Sequence, residues 1–188
     1  MTESPEWTIE AEVQQALVRL WTSDEARAAF LSDRTAYLAQ LPISAEARDR
    51  LRQLDAGQLD GFAASLVQKR LSQVRALLAD IALRMPTEFE ARFSAWAAAH
   101  PPAPLRHHEE DAWRFGATLL KGPLAPELRD RLRWRRLLLG LERSRWRLGL
   151  TLFRHDIRRA ASPELPRRVT LVLWWSLPGR RRGTRVIW

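Results

Sequence analysis

The chain has 188 residues, 46% of them hydrophobic, with nine Trp and no Cys. That is enough apolar chain for one or two domains with a real core, and too apolar for a disordered one. The missing thiol excludes a structural disulfide, a cysteine-based zinc site and a thiol nucleophile. Among 31 basic residues only Lys69 and Lys121 are lysines, and the formal net charge is +9.

The charge is uneven along the chain. Residues 1–100 hold 11 basic and 14 acidic side chains, and residues 101–188 hold 20 and 8. The break falls at Pro101-Pro102-Ala103-Pro104, which cannot continue a helix. Two domains are therefore expected: a helical one over 1–100 and a basic one over 101–188. The fold class expected is α+β, mainly α, with helices and a short antiparallel sheet in the smaller C-terminal unit.

The first hundred residues read as helices. Val13, Ala16, Leu17, Leu20 and Trp21 form one stripe at helical spacing. Thr22 and Ser23 are placed to cap a short helix with Ala26 and Phe30. Tyr37, Leu38 and Leu41 mark a third segment, and Ser44 caps a fourth with Ala47, Leu51 and Leu54. Asp55 is placed to cap a long helix from about Ala56 to Met85, with a seam of Val67, Leu71, Val74, Leu78, Ile81 and Met85. Pro86 ends it, and Thr87 and Glu90 have capping-box spacing ahead of Phe89, Phe93 and Trp96. Arg70 lies near the seam. It either reaches an acidic partner on a neighbouring helix or packs its stem at an edge with its head in water.

Beyond the prolines, Glu109–Leu120 and Pro126–Arg147 read as helices. The second carries eight arginines among Leu132, Leu137, Leu138 and Leu141. Strands follow at Leu148–Phe153, at Val169–Leu177 and at Thr184–Trp188. The last two form a hairpin with Arg180, Arg181 and Arg182 at its tip.

A catalytic set is hard to assemble. His107-His108-Glu109-Glu110-Asp111 invites a metal, but adjacent helical residues point about 100° apart, so the two histidines do not share an ion easily. An acidic first helical turn favoured by the helix dipole explains the run as well. No glycine-rich phosphate loop follows a strand and no GxSxG occurs. The chain reads as a non-enzyme with no cofactor and no metal. No targeting or membrane-spanning segment is expected, which places it in the cytoplasm.

Two binding readings remain. The arginine-rich helix and terminal hairpin could form a winged helix-turn-helix, making the chain a DNA-binding transcriptional regulator. The arginines are spread around the helix rather than along one edge, which favours a plain solvated face. Alternatively, an extended peptide could pair with an edge strand. Trp174 and Trp175 point to opposite faces of their strand, so one can serve the core while the other lies on a surface. Both could also be purely structural.

The stretch Phe62-Ala63-Ala64-Ser65-Leu66, then Arg70, Val74, Leu77-Leu78, Phe89, Phe93 and Ala97-Ala98-Ala99-His100-Pro101-Pro102 resembles the HvfC-like family of bacterial proteins. Asp111, Phe115, Leu119-Leu120 and Leu141-Glu142 fit the same pattern. Phe30-Leu31-Ser32-Asp33 through Leu54-Asp55, and the strand, Trp, Leu-Pro-Gly and basic hairpin from Val172 to Trp188, resemble an actinobacterial-type branch. The family is similar to partner proteins of multinuclear non-haem iron oxidative enzymes (MNIO). The resemblance implies an accessory role: docking on an MNIO-type enzyme and presenting a ribosomally made precursor peptide. The candidate peptide- or partner-binding residues are Arg70, His155, Trp174, Trp175, Arg180, Arg181 and Arg182. Nucleic acid ranks below peptide or protein as a partner.

Overall fold

The computed structural model describes residues 5–102, 107–143, 147–159, 162, 164–176 and 183–187. It is mainly helical with a small antiparallel sheet at its C-terminal end, as the sequence predicts. The described residues form nine α-helices: α1 Pro5–Thr22, α2 Asp24–Ser32, α3 Arg34–Ala39, α4 Ala45–Arg52, α5 Ala56–Leu77, α6 Ala79–Ala82, α7 Pro86–Ala98, α8 His107–Lys121 and α9 Pro126–Arg143. Strands β1 (Arg147–Phe153), β2 (Thr170–Ser176) and β3 (Gly183–Val186) follow, with a short 3-10 turn at Ile157–Arg159. By contacts the chain falls into two compact units, residues 1–71 with 92–102 and residues 72–91 with 103–188.

In the first unit, local chemistry starts the helices. Ser23, Asp33 and Ser44 side chains accept the backbone N–H three residues on, at 3.1, 2.9 and 3.2 Å, and Asp55 does the same for Gln58 at 2.8 Å. Leu20, Phe30, Leu38 and Leu51 are fully buried in one core, with Val13, Leu17 and Trp21 packed against it. Phe30 meets Tyr37 edge-on at 5.8 Å.

The helix expected over Ala56–Met85 is interrupted. Leu78 takes φ −114°, ψ 34°, so α5 ends at Leu77 and α6 starts afresh. Leu77-Leu78-Ala79-Asp80 contains no breaker, and the turn goes with tertiary contacts. Leu78 and Ile81 are fully buried, and Asp80 accepts a hydrogen bond from Arg135 of α9 at 3.1 Å. The capping box expected at Thr87 and Glu90 is also replaced. Pro86 is already the first residue of α7, where its missing N–H costs nothing. Glu90 pairs with Arg75 at 3.3 Å instead.

In the second unit, α8 and α9 pack together, and Phe89 meets Phe115 edge-on at 5.3 Å. The sheet order is β1-β2-β3, antiparallel throughout, with Gly149 opposite Trp174 and Trp175 opposite Gly183. Its inner face carries Phe153 and Val172, which close a core with Ile157, Leu165 and Trp134 of α9. No described helix is long and apolar enough to cross a membrane.

Candidate functional site

The alternation of β1 and β2 sorts the sheet into two unlike faces. Directly paired residues share a face, so the register puts Leu148, Leu150 and Leu152 together with Trp175, Leu173 and Leu171. Ile187, whose N–H donates to the Leu171 carbonyl at 2.8 Å, continues the row, and Arg185 lies opposite Leu173. Leu148, Leu150 and Leu152 are 73%, 61% and 57% exposed, values normal for a charged side chain rather than a leucine on a sheet. The outer face is thus a contiguous apolar surface with one cation in it. Among the described residues β1 has no strand on its other side, so it is also an edge.

Each tryptophan of β2 lies on a glycine of the neighbouring strand. A Cβ on Gly149 would sit 2.4 Å from the Trp174 ring, and one on Gly183 would sit 2.5 Å from the Trp175 ring. The first pair is on the inner face and the second on the outer face. Trp174 is held further by its indole N–H, which donates to Thr151 Oγ1 at 3.0 Å. Only a residue without a side chain lets an indole lie flat across a strand in this way.

The inner face also borders a cleft of about 350 Å3 between α8, α9 and the β1–β2 pair. Trp113 of α8 and Trp174 of β2 wall it, with Leu120, Leu137 and Leu141 as its apolar lining. Arg136 of α9 enters it over the Trp113 ring, 4.7 Å from the ring centre, and its Nε donates to the Trp113 carbonyl at 3.0 Å. The Arg136 stem fits because Gly116 of α8 lies beneath it, where a Cβ would come within 2.9 Å. Burial pushes the Arg136 guanidinium below its ordinary pKa. Sequence reasoning missed Arg136, because the expected helix over Pro126–Arg147 offers eight arginines and nothing local marks those that line the cleft.

Two other α9 arginines, Arg129 and Arg131, are spent inside the molecule. Arg129 donates to the Leu120 and Gly122 carbonyls at 2.8 and 3.1 Å, closing the C-terminal end of α8. Arg131 is 1% exposed; it donates to Glu127 at 2.8 Å and to the Ser162 carbonyl at 2.7 Å. Burial pushes the Glu127 carboxyl up, but Arg131 and the Leu165 N–H outweigh it and hold it below its usual range. Arg133 sits over Phe153 at 5.4 Å and reaches Asp130 at 3.5 Å. Arg129 and Arg131 are thus bonded within the fold, while Arg133 and Arg135 keep 42% and 38% of their side chains exposed, part of the solvated face expected from the sequence.

The described sequence-predicted residues lie on separate elements, Arg70 on α5, Trp174 and Trp175 on β2 and His155 just after β1. Arg70 is buried at 7% exposure, and its Nη2 donates to the His100 carbonyl at 2.7 Å, beyond the last turn of α7. Its head lies over Trp96, which stacks on His100 at 4.6 Å. That corrects the expectation of a head in water: the guanidinium closes a helix end. His155 is likewise buried, with Nδ1 2.9 Å from Asp130 Oδ2, the oxygen that also accepts the Arg154 N–H at 2.7 Å. It ties the end of β1 to α9. Trp174 and Trp175 are brought to the sheet, on opposite faces as the alternation requires. Arg180, Arg181 and Arg182 lie outside the described residues.

Residues 52–121 match the model of a family described as "SCO6045-like, C-terminal domain", a family of uncharacterised proteins. The matched span runs from the end of α4 through α8 and stops before α9 and the sheet. No curated protein matches the chain.

Proposed function

We propose that the protein is a non-catalytic accessory protein that binds an MNIO-type iron enzyme and recruits or orients a ribosomally made precursor peptide on its C-terminal sheet. The observation that carries the reading is the outer face of that sheet, with three exposed leucines on a strand that is an edge among the described residues. Such a surface gives an extended segment main-chain hydrogen bonds from the edge and apolar contacts from the face. The resemblance carried by residues 62–120 supplies the enzyme class.

A DNA-binding regulator is the competing reading, supported by the net positive charge of residues 101–188. The internal bonds of Arg129, Arg131 and Arg135 weigh against α9 as a groove-reading helix.

Coexpression with a candidate iron enzyme and a short precursor peptide, followed by size-exclusion chromatography, tests the proposal. Co-elution of enzyme and peptide is expected, with peptide capture lost in Leu150→Lys. Absence of both from the protein peak, together with unchanged peptide modification when the protein is omitted, overturns it. Sequence-selective DNA binding that survives near-physiological salt would favour the alternative.

A further inference from the structure

We infer that the cleft between α8, α9 and the inner face of the sheet is a binding site for a carboxylate carried on an apolar or aromatic body, with Arg136 as the group that reads the charge. Three features of the cleft converge on this chemistry. Its walls are two indoles, Trp113 and Trp174, and its lining is otherwise leucine and glycine apart from Thr151 and two arginines. Its size, about 350 Å3, suits a side chain or a dipeptide rather than a folded partner. Among the described residues no carboxylate lines it and none pairs with Arg136.

Arg136 is the unusual member. Its neighbours Arg131, Arg133 and Arg135 each have a carboxylate within 4 Å, at Glu127, Asp130 and Asp80. Arg136 has the Trp113 carbonyl and the Trp113 ring. Only its Nε is used there, which leaves the two terminal nitrogens as a planar fork. A partly buried cation with no counter-charge among the described residues gains most from an anion that it can bind in a bidentate manner. One such guanidinium in an apolar cleft fits one negative charge, so a monoanionic carboxylate suits it better than a phosphate. Arg133, whose contact to Asp130 is 3.5 Å long, adds positive potential at the rim.

The carboxylate chemistry stands on the cleft; that its bearer is a peptide rests on the function proposed above. In a peptide the group is either a C-terminal carboxylate after an apolar residue or an acidic side chain beside one.

The test uses the whole 15N-labelled protein and three probes: N-acetyl-phenylalanine, its uncharged amide, and N-acetyl-Glu-Phe-amide. The indole N–H signals of Trp113 and Trp174 report, assigned through Trp113→Phe and Trp174→Phe. At least one acid probe is expected to shift both signals saturably while the amide does not. A response to the first acid marks a terminal carboxylate, and a response to the second an acidic side chain. Arg136→Gln should weaken the acid about tenfold or more, and Arg136→Lys should fall between. Equal binding of acid and amide by the wild type, or no saturable shift with either acid, overturns the inference without need of a variant. Acid binding with no co-eluting peptide would overturn the peptide reading and leave the cleft standing. Peptide capture with no preference for acid over amide would do the reverse.

Discussion

The two compact units manage apolar surface and charge differently. Residues 1–71 with 92–102 hold 9 basic and 11 acidic side chains, and residues 72–91 with 103–188 hold 22 and 11. In the first unit most large apolar side chains close around Leu20, Phe30, Leu38 and Leu51, with Val18 and Phe62 exposed on helices, and ion pairs such as Arg50–Glu46 lie on exposed helix surfaces. In the second, a three-stranded sheet closes its inner face and leaves Leu148, Leu150 and Leu152 open. The first arrangement is what stability alone asks for. The second keeps an apolar surface in water, which is a cost unless something covers it. The contrast makes the second unit the place to test the proposed partner binding, on firmer ground than net charge gives.

The largest effect should come from paired substitutions across that divide. Phe30 is fully buried, so Phe30→Ala is expected to cost about 3–5 kcal/mol of unfolding free energy. Leu150 is equally apolar but exposed, so Leu150→Ala should change stability by less than about 0.5 kcal/mol. Denaturant titration of both variants measures the difference. A cost at Leu150 approaching that at Phe30 would mean that the outer face is already covered within the folded chain.

Glycines sharpen the comparison at a smaller scale. Gly61 lies inside α5 with nothing within 4 Å of where its Cβ would be, so Gly61→Ala should stabilise by about 0.5–1 kcal/mol through helix propensity. Gly149 lies under the Trp174 ring, and that ring is anchored on Thr151. Gly149→Ala should therefore destabilise by about 1–3 kcal/mol, since the indole must leave its seat. Thermal melts of the two variants should move in opposite directions. The Trp174 indole signal should shift in the second variant alone.

These positions also show what the sequence could carry. Ser23, Ser44 and Asp55 were readable as caps because a cap is a contact three residues long, and Asp33 before Arg34 offered the same signal unused. Strand alternation sufficed to place Trp174 and Trp175 on opposite faces. Their seats on Gly149 and Gly183 could not be read, because cross-strand register decides them. The interruption at Leu78 and the burial of Arg70 and Arg131 escaped for the same reason: each is set by a neighbour far away in sequence. Arg136 was hidden by abundance, one arginine among six on its helix. The proposed function rests on resemblance as well as on the sheet, since an apolar face names no ligand.

Acid should separate the two units by the smallest but most selective effect. In the first unit most paired carboxylates are exposed and screened, as at Asp24, Glu46 and Asp49. Glu12 is the exception, half-buried and held below its usual range by hydrogen bonds with Ser44. In the second unit Asp156 is buried at the turn after β1, where Arg158 grips both its oxygens at 2.8 and 2.7 Å. That grip, against the opposing effect of burial and helped by the charge of Arg168, lowers its pKa from 3.8 to about 2. A carboxyl with a depressed folded pKa stabilises the fold fully above its unfolded value and loses that contribution as pH falls through the folded one. The Asp156 contribution should thus be intact above about pH 4 and fade between 3.8 and about 2. Asp156→Asn should lower stability at neutral pH and flatten the acid limb in that window. Hydrogen exchange should localise the loss to β1, β2 and the Ile157–Arg159 turn, with α1–α4 unaffected. Equal acid sensitivity of wild type and variant would show that the bidentate pair contributes nothing to the fold, and that the sheet is held by its inner apolar face alone.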